Sequence, residues 1–490
     1  MATRSFAANG DSRSLSLSRL SFWPRVREFA VSATAIETAT ARRLVGDWAG
    51  ACAAAGFDVD LDLTSLARTH GSALAARVRS DLRHLAPDLV RWHLPRIAPD
   101  GLLRPGLTVP LARYGEVHLV VRTAPAWADG GQRLSLALWD GTAAFQAPGT
   151  HPRPRPGRRF RFDLHRHLWD ARRAGELRAR SGADLDRDRD PTWSDPEGLM
   201  GLQGLGELQG LTWPAFGLRP AVERWADEAR IVLRAEGRSH GAVAVRAGAR
   251  RLVLDVGPDG GVRITAPPRG GRGGAGNRPP RPLPHPLPLL PDAATWVPPD
   301  LELLRAGAIE PGRLHPLVAD ALVPGHEPAA TPAPAPHDPG RPRVVECRGA
   351  PHRIGLVDGV LSALDHDPAE IRREELLAAL SGPPLPCLRA IDEAHRRPDC
   401  LSGVRERLDH GDTAGALAVV EGLLGPGAVL RDGALREALE AAARRRITYG
   451  LYRAGLSGPA RPLVPGRPRP KDHRPRPRLA ESAGPVPICC

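Results

Sequence analysis

Asp58, Asp60 and Asp62 alternate with Phe57, Val59, Leu61 and Leu63. On a strand the three carboxylates share one face, with neighbours about 6.6–7 Å apart. Such a row of hard oxygen donors can hold a divalent cation. Its simpler reading is the wet face of an edge strand, where charge discourages aggregation. An EF-hand is excluded, because Leu63 stands where the turn glycine is required.

Cys387, His395, Cys400 and His410 offer thiol and imidazole ligands of the kind zinc takes, without any C-x-x-C pair and without compact spacing. Asp163, His165 and His167 share a face if a strand runs through them; if a helix begins early, Asp163, His167 and Asp170 do. Arg153, Arg155, Arg158, Arg159 and Arg161 fall within nine residues, interleaved with Phe160 and Phe162. Arginines contact phosphates bidentately and aromatics stack on bases, which is the chemistry of single-stranded nucleic-acid binding. The alternation equally makes the phenylalanines core and the arginines a solvent face.

Several chemistries are excluded by what is missing. Lys471 is the single lysine, it precedes Asp472, and it lies in a Pro-rich tail. A phosphate-binding Walker loop needs Lys followed by Ser or Thr. Walker-type hydrolysis, kinase chemistry and lysine Schiff bases therefore have no residue to work with. Asp392-Glu393-Ala394-His395 spells a helicase-type Walker B box, but Arg389 interrupts the apolar strand that box requires and no P-loop accompanies it. Gly271-Arg272-Gly273-Gly274-Ala275-Gly276 fits a dinucleotide fingerprint by letter, yet Asn277-Arg278-Pro279-Pro280 follows where a helix must begin. No G-x-S-x-G elbow and no H-E-x-x-H helix occur. The terminal Cys489-Cys490 is an exposed thiol pair without an assigned role. The sequence names no cofactor.

The elements that position these residues read as follows. Residues 1–33 form a loose leader without a secretory signal. Residues 34–150 form an α+β domain. Leu74, Val78, Leu82, Leu85 and Leu89 make a helical stripe that Pro87 breaks or kinks, and Val117–Val121 and Arg133–Trp139 read as strands. Residues 151–266 extend it: a strand over Arg159–His165, a helical pattern over Leu168–Arg180, a helix near Ala221–Ala229, and strands at Ile231–Arg234, Ala242–Arg246, Leu252–Val256 and Val262–Thr265. Pro258-Asp259-Gly260-Gly261 joins the last two as a hairpin. Residues 267–343 form a Pro-, Gly- and Arg-rich linker with a helical island at 296–322. Residues 344–456 read as all helical. Within them Leu408–Leu424 is similar to one degenerate tetratricopeptide-like helix, and the triplet Leu364-Asp365-His366 recurs at Leu408-Asp409-His410. Residues 457–490 are a disordered basic tail.

The 490 residues exceed one ordinary core. The formal net charge of +13 resides almost wholly in residues 151–180 and 461–490, leaving a nearly neutral body. Arginine in place of lysine reads as the coding bias of a GC-rich, bacterial genome, so arginine alone is weak evidence for nucleic acid. Six cysteines in this length make no disulfide scaffold, and no run reaches the roughly 18 apolar residues of a membrane span. The expectation is an α+β, cytoplasmic, non-catalytic interaction protein, its partner bound by the helical C-terminal domain. The alternatives are nucleic-acid binding through the two basic segments, and a metal-dependent enzyme using Asp58, Asp60 and Asp62.

Overall fold

The computed structural model describes residues 20–128, 130–141, 151–185, 202–203, 218–248, 250–265, 287–326, 343–357, 360–380, 384–398, 400–425 and 429–458. Outside them lie the start of the leader, both flanks of the linker with Gly271–Gly276, and the basic tail with Lys471, Cys489 and Cys490. The architecture is α+β, with mixed helices and strands ahead of a helical C-terminal region.

The first helices are α1 (Phe22–Phe29), α2 (Ala33–Leu44) and α3 (Trp48–Ala54). The first two overlap the segment expected to be loose. Leu20, Val26 and Ala30 reach the main core and hold it in place. Strand β1 (Phe57–Asp60) follows, then α4 (Leu63–His70), α5 (Ser72–His84) and α6 (Pro87–His93). The leucine stripe thus spans two helices. Pro87 opens the second one at its first position, where a missing amide donor costs nothing.

A small hairpin pairs β2 (Arg96–Ile97) with β3 (Leu102–Leu103). Strands β4 (Thr108–Tyr114), β5 (Val117–Thr123) and β6 (Leu134–Trp139) join β1 in a sheet of order β1-β6-β5-β4, with β1 parallel to β6. Phe57, Leu119, Val121, Leu134, Leu136 and Leu138 turn to the core that the helices cover. Asp58 pairs in register with Ser135 and Asp60 with Ala137, so both carboxylates stand on the opposite face.

Residues 159–168 are not a strand. They form 3-10 turns at Phe162–Leu164 and Arg166–Leu168. Phe160 and Phe162 are buried by this coiling without a period-two strand. Helix α7 (Leu177–Ser181) follows. Strands β7 (Leu202–Gln203), β8 (Gly241–Ala247), β9 (Arg250–Val256) and β10 (Val262–Thr265) form a second sheet of order β7-β10-β9-β8, covered by α8 (Val222–Ala235). That helix takes in Ile231–Arg234. Val232 and Leu233 continue its buried stripe with Trp225 and Ala229, so the apolar period of the helix prevails over β-branched propensity.

The island is docked. Helices α9 (Asp292–Thr295), α10 (Pro299–Arg305) and α11 (Pro316–Leu322) bury Val297, Leu301, Leu303, Leu314 and Val318 in the main core. Ion pairs fasten it. Arg27 Nε donates to Asp300 at 2.6 Å, with both side chains almost fully buried (2% and 1% exposed). Arg27 also lies over the Trp92 ring at 4.6 Å, and His315 Nε2 meets Asp88 at 2.9 Å.

The C-terminal region opens with a three-stranded antiparallel sheet, β11 (Arg343–Cys347), β12 (Ala350–Val357) and β13 (Val360–Ala363), where the sequence reads as helix. Helices α12 (Pro368–Leu380), α13 (Pro386–Arg396), α14 (Leu401–His410), α15 (Thr413–Leu424) and α16 (Ala434–Arg453) follow. Gly411 ends α14 in the left-handed conformation and Asp412 caps α15, which gives the helix pair its tight turn. No helix among the described residues is long and apolar enough to cross a membrane.

Two predictions follow from the buried charges. Asp300→Ala strands the Arg27 guanidinium and lowers unfolding free energy by about 3–5 kcal/mol in urea titrations; an unchanged midpoint would show the pair to be dispensable. Glu228 is buried, which raises its carboxyl, but His165 at 3.2 Å and Arg180 at 2.5 Å outweigh this and hold it at about 2. Its stabilisation is therefore complete above the ordinary carboxylate range and disappears as pH falls from about 4.5 to about 2. The stability gap between wild type and Glu228→Gln is expected to close across that window and stay constant above it.

Candidate metal centre

The meander is built by its turns. Cys347 pairs with Ala350, and the two residues between them, Arg348 and Gly349, have φ of 55° and 79°. Two successive positive φ values belong to the hairpin turn whose twist matches flanking strands. The register then sets Val345 opposite His352, so Cys347, Val345, His352 and Ile354 share one face. Val357 pairs with Val360, returning the chain as β13. Beyond β13, Leu364 N donates to the Arg353 carbonyl at 2.8 Å. Arg353 N donates to Asp365 Oδ2 at 2.7 Å, and the Arg353 guanidinium grips the same carboxylate. This clamp places His366 above the sheet. From the other side α13 lays Leu388 and Ile391 on the sheet and presents Cys387 in its first turn.

The outcome is a four-residue cluster: Cys347, His352, His366 and Cys387. One ligand atom from each lies within 4.8 Å of all the others. His352 Nδ1 and His366 Nε2 face each other at 2.7 Å, with the rings crossed at 87°. Both cysteines are fully buried and the His366 side chain is 3% exposed. Burial first, and then the neighbouring Cys347, push the Cys387 thiol up to about 11. A thiol so placed resists ionisation unless a cation supplies the compensating charge.

Two sulfurs and two imidazole nitrogens are the donor set of structural zinc, with bonds of about 2.3 and 2.0–2.1 Å at tetrahedral angles. Donor atoms in such a tetrahedron sit about 3.3–3.8 Å apart, so the two imidazole nitrogens, 2.7 Å apart here, would have to separate to admit an ion between them and the sulfurs. Soft thiolate and imidazole ligands disfavour calcium and magnesium.

Of the zinc set read from the sequence, only Cys387 belongs to this centre. His395 is buried two turns further along α13, Cys400 begins α14, and His410 packs against Phe29 at 5.6 Å. The recurring Leu-Asp-His triplet therefore does two different things, His366 facing the cluster and His410 closing a helix. Asp392–His395 lies within helix α13, with Asp392 paired to Arg396, so the Walker B strand is absent.

The aspartate row is divided among partners within the chain. Asp58 accepts from Arg133 and, at 2.5 Å, from the Tyr449 hydroxyl on α16. Asp60 is held by Arg453 of the same helix. Asp62 caps α4, accepting from the Thr64 and Ser65 amides at 2.9 and 3.1 Å. Burial and the Asp58 hydrogen bond push the Tyr449 phenol up, so it remains a donor.

The arginine cluster is divided as well. Arg159 is bidentate to Asp292, and Arg161 holds Asp163 and Glu236. Arg153 and Arg155 are exposed, and so is Arg158, which has an interaction of its own. His165 lies beside Glu228, His167 is buried against it, and Asp170 takes Arg166 and Arg172. No family model, no curated protein and no solved structure matches this chain.

The signals that would have found the centre are short. Asp358-Gly359 is a two-residue hairpin dipeptide flanked by valines, and Arg348-Gly349 supplies a glycine between Cys347 and His352. The spacing from His366 to Cys387 follows no compact zinc motif, because a whole helix intervenes. As a test of the aspartate face, Asp60→Ala is expected to free Arg453 and cost about 1–2 kcal/mol. In hydrogen exchange this appears as faster exchange in α16 while β4 and β5 are unaffected.

Proposed function

We propose that this chain is a zinc-binding, non-catalytic interaction protein, in which the ion staples the C-terminal sheet to α13 and the C-terminal region presents a surface to a protein partner. The observation that carries the reading is the closed set Cys347, His352, His366 and Cys387. Four protein ligands complete a tetrahedron and leave no position for a substrate or a reactive water, which separates structural from catalytic zinc.

The size of the local core supports it. Among the described residues six are buried in the cluster beneath the sheet, two of them the cysteines, with Val345, Leu361, Ala363, Ile371 and Ala390 partly buried against them. Cores this small usually need a disulfide or a metal. A disulfide between Cys347 and Cys387 would satisfy the same need, but it makes no use of the crossed imidazoles of half-buried His352 and of His366 that stand beside the two sulfurs. Reduced thiols are required for the metal form, so the reading goes with a reducing compartment such as the cytoplasm. The basic segment at 151–180 lends nucleic-acid binding no comparable support, since Arg159 and Arg161 already hold carboxylates.

The test is elemental analysis of chain purified without a chelating tag, together with thermal unfolding in the presence and absence of a strong chelator. One zinc per chain is expected, lost in Cys347→Ser and His366→Ala, with chelation lowering the transition of the C-terminal region. A metal-free chain with two fewer titratable thiols than the sequence predicts would establish the disulfide instead and end the zinc reading.

A further inference from the structure

Helix α12 is poorly anchored by apolar contact. Of its described side chains, Ile371 is the apolar one packed on the cluster beneath the sheet. Leu376, Leu377 and Leu380 are 67%, 54% and 79% exposed. A 13-residue helix is marginal in water without tertiary support, so polar tethers must decide where this one lies.

Those tethers converge on the metal centre. Asp367 caps the helix, its carboxylate accepting from Ala369 N at 2.9 Å. Arg348, in the turn that follows Cys347, donates to Glu370 at 2.5 Å and to Glu374 at 2.7 Å. The other oxygen of Glu370 stands 3.7 Å from His366 Nδ1. That is the ring nitrogen left over when Nε2 faces the cluster. A small ring rotation brings Nδ1–H and the carboxylate into hydrogen-bond range. A histidine ligand commonly donates its second N–H to a carboxylate, which fixes the tautomer and raises its basicity.

We propose that Glu370 is the outer-sphere partner of the ion, a positioning residue that holds His366 as an Nε2 ligand and, through Arg348, ties α12 and the Cys347 turn to the occupied centre. This rests on the zinc reading above. Its consequence is regulatory: ion occupancy and the placement of α12 are coupled, so loss of the ion releases the helix together with its three exposed leucines.

The experiment uses the full chain loaded with Co2+, whose ligand-field and thiolate charge-transfer bands report a tetrahedral sulfur–nitrogen site, with affinity measured by chelator competition and α12 followed by hydrogen exchange. Glu370→Gln is expected to weaken Co2+ affinity by about 10–100-fold and to speed exchange in α12. Glu374→Gln, which loses an Arg348 contact but does not face His366, is expected to loosen α12 with affinity unchanged. If wild type binds Co2+ tightly and Glu370→Gln matches it in affinity, the outer-sphere role is overturned and the zinc reading stands. If wild type shows no such bands, the zinc reading falls and takes this inference with it. Equal α12 exchange in loaded and metal-free wild type would overturn the coupling.

Discussion

Six buried residues cannot by themselves hold a three-stranded sheet against a helix in water. Fixing each backbone residue costs on the order of 1–2 kcal/mol, and the apolar surface hidden by Ile354, Leu385, Leu388 and Ile391 offsets only a small part of that. Everything distinctive about residues 343–396 answers this deficit. The two-residue turn aligns Cys347 with His352, the Arg353–Asp365 clamp brings His366 over the same face, and α13 closes the set with Cys387. The ligands come from two strands, a turn and a helix, so one ion would join all the pieces that the small core leaves loosely bound. Ion binding and local folding are then one equilibrium.

The body solves a different problem with different chemistry. It has a large core and can tolerate buried charge, provided each charge is answered. Arg27 answers Asp300, Arg180 answers Glu228, and Arg159 answers Asp292. Each pair ties segments far apart in sequence, and two of them lock the docked island to the body. Arginine suits this work: its planar fork makes two hydrogen bonds to one carboxylate and keeps its charge when buried. The positive segment at 151–180 is therefore in large part internal joinery, and its formal charge overstates the field it offers to solvent.

The sequence carried the periodic parts well. The strand at Leu134–Trp139 follows from alternation and that at Val117–Val121 from a short apolar run, but Leu408–Leu424, read as one helix, belongs to two, because Gly411 ends the first and Asp412 caps the second. It failed where local pattern and tertiary demand diverge. Phe160 and Phe162 alternate as on a strand, yet compact turns bury them just as well. Val344–Ala363 was lost in a helical reading because its strands are short and half-exposed, so one face shows no clear apolar period. The four-residue cluster was out of reach for a stronger reason. His366 and Cys387 meet through the packing of α13, and no linear spacing records that.

The aspartate row shows how far a correct local observation can be from its use. Asp58 and Asp60 do share a face, as alternation requires. Charge on a strand face can meet water, a cation, or a cationic side chain of the same chain, and these three look identical in sequence. Here the third applies: Tyr449 and Arg453 lie one turn apart on α16 and match the two-residue spacing of the strand. The fit works because i, i+4 on a helix spans about 6 Å, close to i, i+2 on a strand. A helix and a strand can thus be matched charge for charge, and this places α16 across the polar face of the sheet. The two halves consequently respond to different conditions. Carboxylate–arginine joints persist until acid protonates the carboxylates, whereas thiolate and imidazole ligands compete with protons near neutrality. With an ion in the proposed centre, acidification or chelation would loosen the C-terminal sheet while the body, fastened by arginine, keeps its shape.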